Sequence, residues 1–139
     1  MKMQYHIEGG NFSAAGRASS EVKKTLKQFN ISPVVVRRIA VALYEAEVNV
    51  VAHAWRGTMS VELTPEDIHV VVEDEGPGIE DIDKAMEEGY STASEAVRQM
   101  GFGAGMGLPN IRKNCDEMHL SSTPGRGTRI EIKVYFNAF

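Results

Sequence analysis

Glu45-Ala46-Glu47-Val48-Asn49-Val50-Val51-Ala52-His53 sits inside a run from Val34 to Trp55 that is apolar on nearly every side. A helix of that composition is expected to be buried rather than laid on a surface. Ser32 supplies a candidate N-cap, Pro33 suits the first helical position, and Arg56-Gly57 closes the run. A helix over about 33–55 follows. Glu45, Asn49 and His53 are spaced by four and therefore stack on one face, and Arg56 falls within about 20° of the same line at 3.6 residues per turn. Burying an unpaired Glu, Asn or His costs ~1–3 kcal/mol or more, so the stripe needs partners. An exposed polar stripe on an amphipathic helix would give the same spacing. A carboxylate facing a pocket beside an amide would instead suit a general base next to a metal ligand.

Outward from this helix the pattern is regular. Upstream, Met3–Glu8 is a short strand stopped by Gly9-Gly10. Ala18, Val22, Leu26 and Phe29 recur at three and four, which predicts a helix over about 14–29 with one buried stripe. Downstream, strands are predicted near Met59–Leu63 and Ile68–Glu73, then a short helix around Asp81–Glu88. Residues Gly89–Ala104 hold Gly, Ser and Thr without a clear apolar period, which predicts a mobile lid. A helix near Met106–Met118 precedes strands near His119–Thr123 and Thr128–Phe136, joined through Pro124-Gly125-Arg126-Gly127. The order β, α, α, β, β, α, α, β, β predicts an α/β sandwich (α+β), with one mixed, mainly antiparallel sheet and helices on one face.

Length and charge restrict the function. With 139 residues, one domain spanning 1–139 is expected. Cys115 is the only cysteine, so no internal disulfide forms, and no Cys/His spacing fits zinc. No apolar run approaches the ~20 residues of a membrane span, and Met1–His6 lacks a signal-peptide apolar region. A soluble, cytoplasmic protein without membrane contact is expected. The net charge of −4 argues against direct nucleic-acid binding. Eight of the 19 acids lie between Glu73 and Glu88, leaving a mildly basic remainder. Most of them read as a solvated loop and helix face. Trp55 and Cys115 read as core residues without a functional role.

Three further segments carry chemistry. Asp74-Glu75-Gly76-Pro77-Gly78-Ile79 follows a strand, placing a carboxylate where a ligand can approach bare backbone; by itself this is a common turn. Gly101-Phe102-Gly103-Ala104-Gly105-Met106-Gly107-Leu108 runs glycines into a helix start, where N–H groups can hold phosphates. It lacks the Gly-Lys-Ser/Thr of a P-loop and is not fed by a strand, as a dinucleotide fingerprint would be. A flexible connection would look similar. Gly127-Thr128 opens the last strand and means nothing alone.

Taken in this order and at these separations, the segments resemble the ATP-binding domain shared by gyrase B, Hsp90, sensor histidine kinases and MutL, the Bergerat or GHKL fold. The likeness spans roughly residues 5–135. It implies that Asn49 coordinates Mg²⁺ bridging the nucleotide phosphates and that Glu45 is the general base. It also implies that Asp74 accepts a hydrogen bond from the adenine amino group, with Gly78 close against the base. Gly103, Gly105 and Gly107 would hold phosphates at the edge of the lid, and Thr128 would lie near the adenine. Gly76, Ile79 and Leu108 belong to the same candidate site. His53 would orient a phosphate or Glu45, or serve as a satisfied core histidine.

The length leaves no room for the extra domains of gyrase B, Hsp90 or MutL, and no His-Glu/Asp-x-x-x-Pro phosphoacceptor pattern occurs. The chain is most similar in kind to stand-alone bacterial anti-sigma factor/serine kinases and stressosome switch kinases. Glu45–Asn49, Asp81–Thr92 and Gly107-Leu108-Pro109 with Asp116-Glu117 carry that likeness. Ala93–Met100 makes the lid longer than a compact switch kinase needs. The resemblance implies ATP- and Mg²⁺-dependent phosphorylation of a Ser or Thr on a partner, a small STAS-type regulator. The alternatives are a non-catalytic anti-sigma factor that sequesters a sigma subunit and a nucleotide-sensing ATPase module. A homodimer is compatible with either.

Overall fold

The computed structural model describes residues 1–87 and 107–137. Strand β1 (Lys2–Glu8) leads through a 3-10 turn (Phe12–Ala14) into α1 (Arg17–Lys27) and α2 (Pro33–His53). Strands β2 (Arg56–Leu63) and β3 (Asp67–Glu75) follow, then α3 (Ile82–Ala85), α4 (Gly107–Lys113), β4 (Glu117–Thr123) and β5 (Gly127–Tyr135). The strands form one sheet in the order β1-β2-β3-β5-β4. Every pairing among them is antiparallel, so the mixed component expected from sequence is absent from the described sheet. The reason lies in the connections. β2–β3 and β4–β5 are tight hairpins, and the two helices between β1 and β2 return the chain antiparallel to β1.

Strict alternation buries one face of the sheet. Met59 and Val61 of β2, Val70 and Val72 of β3, and Ile130, Ile132 and Val134 of β5 pack against Val22 and Leu26 of α1, Ile39, Leu43 and Val50 of α2, and Ile111 of α4. The opposite face carries exposed Gln4, His6, Glu62, Glu73 and Arg129. A sheet covered on one side in this way reads as apolar-in, polar-out.

Four details differ from the sequence expectation. Helix α1 ends at Lys27, so Phe29 lies beyond it and is exposed. Helix α2 ends at His53 because Ala54 turns extended (φ −111°, ψ 169°) while its N–H still closes on Val50. Arg56 is therefore in β2, paired with Glu75 at 2.6 Å, and is off the helical stripe. Trp55 is 57% exposed rather than core: its backbone is fixed by bonds to Gly9 and Glu75, which leaves the indole outside the sandwich. Helix α2 is also less encircled than its composition suggests, with Val34, Val41 and Tyr44 exposed.

Among the described residues the most deeply buried acid is Glu47, 2% exposed. Its carboxylate accepts three backbone N–H bonds, from Gly16 (3.0 Å), Ala18 (3.1 Å) and Ser19 (2.9 Å). Gly16 occupies the N-cap of α1 in a left-handed conformation and has no side chain to cap with. Glu47 supplies that cap from the neighbouring helix.

Candidate functional site

The site begins with a row of residues across the sheet. Ile7 pairs with Gly57, Gly57 with Asp74, and Ser122 with Thr128. Asp74 lies one step past the Glu73–Arg129 pair, which sets it opposite Thr128. The row faces the helices, because Val72 and Ile130, two residues away on their strands, are core. Asp74 and Thr128 thus interrupt the apolar face at the sheet's end. Thr128 donates its backbone N–H to Asp74 Oδ1 at 3.0 Å. Burial raises the Asp74 carboxyl above its usual range, and the Thr128 bond partly offsets the shift.

Glycines let several backbones meet here. A Cβ on Gly127 would sit 1.9 Å from the Asp74 carbonyl oxygen, and one on Gly76 would be 2.9 Å from Ala54 Cα. Gly78 has φ +74°, and a Cβ there would lie 2.5 Å from the Thr123 carbonyl oxygen. Gly76 donates to Arg126, and Gly125 to Pro77, which ties the Asp74–Ile79 segment to the β4–β5 turn. The glycines read from sequence as openings toward a ligand are therefore needed first for backbone packing. Ile79 is partly buried, and its N–H donates to Ser122 Oγ at 2.7 Å.

The second half of the site lies between α2 and α4. Glu45, Asn49 and His53 are all intermediate in exposure, on the one face their spacing predicted. Full burial of the stripe, for which partners would have been required, is not what α2 provides. Glu45 approaches the start of α4: a Cβ on Gly107 would be 3.3 Å from its Oε2. Burial raises the Glu45 carboxyl above its ordinary value, and a hydrogen bond from the Asn110 side chain pulls it partly back. His53 is held toward the neutral form by burial. Leu108 points into the core, 7% exposed, so its side chain serves packing. Gly103, Gly105 and the lid expected over 89–104 lie outside the described residues.

Two site residues escaped the sequence, Ser122 and Asn110, as did the cap of α1, Glu47. Glu47 lies within the decisive helix, and only its lack of the i, i+4 relation to Asn49 set it apart. Ser122 and Asn110 carried no local signal. Cys115 is partly buried, and burial raises its thiol above the ordinary thiol range.

An adenine nucleotide and Mg²⁺ fit this donor set. Asp74 and Thr128 offer a half-buried acceptor and a hydroxyl at one end, while Glu45 and the Asn49 amide lie at the other. Among the described residues no cluster of three His, Cys, Asp or Glu side chains could hold a metal alone. A Mg²⁺ at Asn49 would draw its other ligands from phosphate and water, as this ion usually does. Among the described residues no helix is long and apolar enough to cross a membrane.

Residues 35–138 match the family described as histidine kinase-, DNA gyrase B-, and HSP90-like ATPase. The serine/threonine-protein kinase RsbT of Bacillus subtilis (strain 168) is 33% identical over 113 residues, covering 78% of this chain and 79% of its own length. The anti-sigma F factor of Thermoanaerobacter sp. (strain X514) is 30% identical over 137 residues, covering 92% of each chain. In structure, the chain is similar to the Pseudomonas aeruginosa SiaB-SiaC complex structure, with a TM-score of 0.64 at 12% identity over 95% of this chain and 88% of that one. It is similar also to the RsbU and RsbW domains of Rv1364c from Mycobacterium tuberculosis, with a TM-score of 0.63 at 14% identity over 95% of this chain but 32% of that longer one. At such identities the solved structures speak to the fold, and the fold agrees with the family match. With the ordered segments, the antiparallel sheet and the Asp74–Thr128 and Glu45–Asn49 ends of the site in place, the chain belongs to the histidine kinase-, DNA gyrase B- and HSP90-like ATPase family.

Proposed function

We propose that this protein is an ATP-dependent serine/threonine protein kinase that phosphorylates a small STAS-type regulatory protein, with residues 1–139 acting as one cytoplasmic ATP-binding domain. The observation that carries the proposal is Glu45: a half-buried carboxylate with a raised pKa, set against Gly107 and one helical turn from Asn49. A nucleotide-binding module needs Asn49 and the glycines but has no use for a base there. The kinase relative at 33% identity supports the same assignment.

In the proposed reaction the acceptor hydroxyl attacks the γ-phosphorus, the bond to the β-phosphate oxygen breaks, and ADP departs. Glu45 takes the hydroxyl proton, and the burial that raises its pKa makes it a stronger base than an exposed carboxylate. Asn49 would hold Mg²⁺, which supplies charge neutralisation on the phosphates. Asp74 accepts from the adenine amino group and orients the nucleotide, and positioning of this kind supplies much of the acceleration in phosphoryl transfer. Burial holds His53 toward its neutral form.

A second activity has its own support. The anti-sigma F factor relatives match along nearly the whole chain, which favours sequestration of a sigma subunit alongside or instead of phosphoryl transfer. A homodimer is compatible with both. Labelled ATP is therefore to be presented with candidate STAS regulators and sigma factors. Glu45→Ala is expected to bind ATP within a few-fold of wild type while losing transfer by ~10²–10⁴, the range of a positioned base. Asn49→Ala is expected to lose Mg²⁺-dependent binding and turnover together. Undiminished transfer in Glu45→Ala overturns the base assignment. Stable sigma binding without transfer in wild type establishes the second activity in its place.

A further inference from the structure

Ser122 is partly buried, lies outside every segment that marked the site in the sequence, and is bonded to three parts of it. Its Oγ lies 2.7 Å from the Ile79 N–H, 2.9 Å from the Gly127 carbonyl oxygen and 2.9 Å from Thr128 Oγ1. A serine hydroxyl has one proton and two lone pairs. The Ile79 amide can only donate, and the Gly127 carbonyl can only accept. The single proton of Ser122 therefore goes to Gly127, one lone pair receives Ile79, and the other is free to receive Thr128. Only one assignment makes all three contacts hydrogen bonds: Thr128 donates its hydroxyl proton to Ser122.

We infer that Ser122 is a positioning residue that fixes the hydroxyl of Thr128 as an acceptor toward the ligand and so makes the site selective for a 6-aminopurine over a 6-oxopurine. With its proton committed, Thr128 Oγ1 presents lone pairs only. Asp74, opposite it on the sheet, has Oδ1 engaged by the Thr128 backbone N–H and presents lone pairs as well. The sheet's end is thus a surface of acceptors. An exocyclic amino group, with two protons, satisfies it, whereas a 6-oxo group sets acceptor against acceptor. A site whose polar groups are left unpaired by the wrong ligand discriminates strongly. Were Thr128 free to rotate, its hydroxyl could donate to the oxo group and part of that discrimination would be lost.

The inference rests on the adenine-binding role proposed for Asp74 and deepens it. ATP and ITP differ along one edge of the purine, a 6-amino group beside an unprotonated N1 against a 6-oxo group beside an N1–H, and their dissociation constants are to be measured on the full chain by calorimetry. Wild type is expected to prefer ATP. Ser122→Ala is expected to reduce the ATP-over-ITP ratio about 5- to 10-fold, the scale of one hydrogen bond, and Ser122→Thr to restore it. A role in loop packing alone would weaken both nucleotides together and leave the ratio where it was. An unchanged ratio in Ser122→Ala overturns the inference. If that variant does not fold, Thr128→Val is measured instead. It is expected to lower the ratio, and an unchanged ratio there has the same force. Equal binding of ATP and ITP by wild type overturns the adenine role of Asp74 itself, which separates the two failures.

Discussion

Replacing Glu47 by Ala tests whether one side chain on α2 holds the start of α1. Three N–H groups lose their acceptor, and two of them, on Ala18 and Ser19, belong to buried residues. An unsatisfied buried donor costs ~1–3 kcal/mol, and loss of an N-cap ~0.5–2 kcal/mol. Water entering the vacated volume recovers part of this, and the desolvation cost of a buried carboxylate disappears with the charge. The net loss is ~3 kcal/mol. For a chain of this length that corresponds to a fall in Tm of roughly 10 °C. Glu47→Gln keeps the volume and one acceptor oxygen but turns an NH2 group toward an N–H, and ~2 kcal/mol is expected. Urea unfolding followed by circular dichroism, with unchanged m-values, measures both. A loss below ~1 kcal/mol in Glu47→Ala would refute the capping role, because it would mean that α1 keeps its N-terminus without this carboxylate.

Three further outcomes follow from the site geometry. Because burial raises the Glu45 pKa, the base loses activity as pH falls through that raised value, so the acidic limb of kcat against pH should lie above the ordinary Glu pKa of ~4.3. The Asn110 hydrogen bond favours the charged carboxylate; removing it in Asn110→Ala should move the limb to higher pH, and a limb that stays put would deny Asn110 this role. Gly78→Ala combines a positive φ of 74° with a Cβ 2.5 Å from the Thr123 carbonyl oxygen. The 77–79 segment must then shift off the β4–β5 turn, and ATP affinity should fall at least 10-fold in equilibrium dialysis, alongside a backbone strain of ~1–2 kcal/mol.

Element order and the main chemical stripe could be read from the chain because both are local and periodic. The spacing of Glu45, Asn49 and His53 needs only 3.6 residues per turn, and the strands announce themselves by alternation and by the turns that join them. The family resemblance rested on the same local segments, and the match over residues 35–138 agrees with it. Helix ends were less legible. Whether α2 stops at His53 or Trp55 depends on Ala54 being held between Gly9 and Gly76, which are far away in sequence. That contact, not propensity, leaves Trp55 exposed.

Tertiary structure alone decided which polar groups work together. Glu47 differs from Glu45 by two positions, roughly 200° around the helix, and only the packing of α1 against α2 makes one a buried cap and leaves the other a partly exposed carboxylate. Asn110 reaches Glu45 because α4 lies along α2, and Ser122 reaches Ile79 and Thr128 because β4 and β5 return beside the Asp74 segment. Such hydrogen bonds join residues up to tens of positions apart. Their donors and acceptors have no periodic signature, since a serine or asparagine looks the same in sequence whether it faces water or a network. The chain's own pattern therefore determined where the Asp74 and Glu45 ends of the site would fall, and the fold determined which hydroxyls, amides and carboxylates meet there.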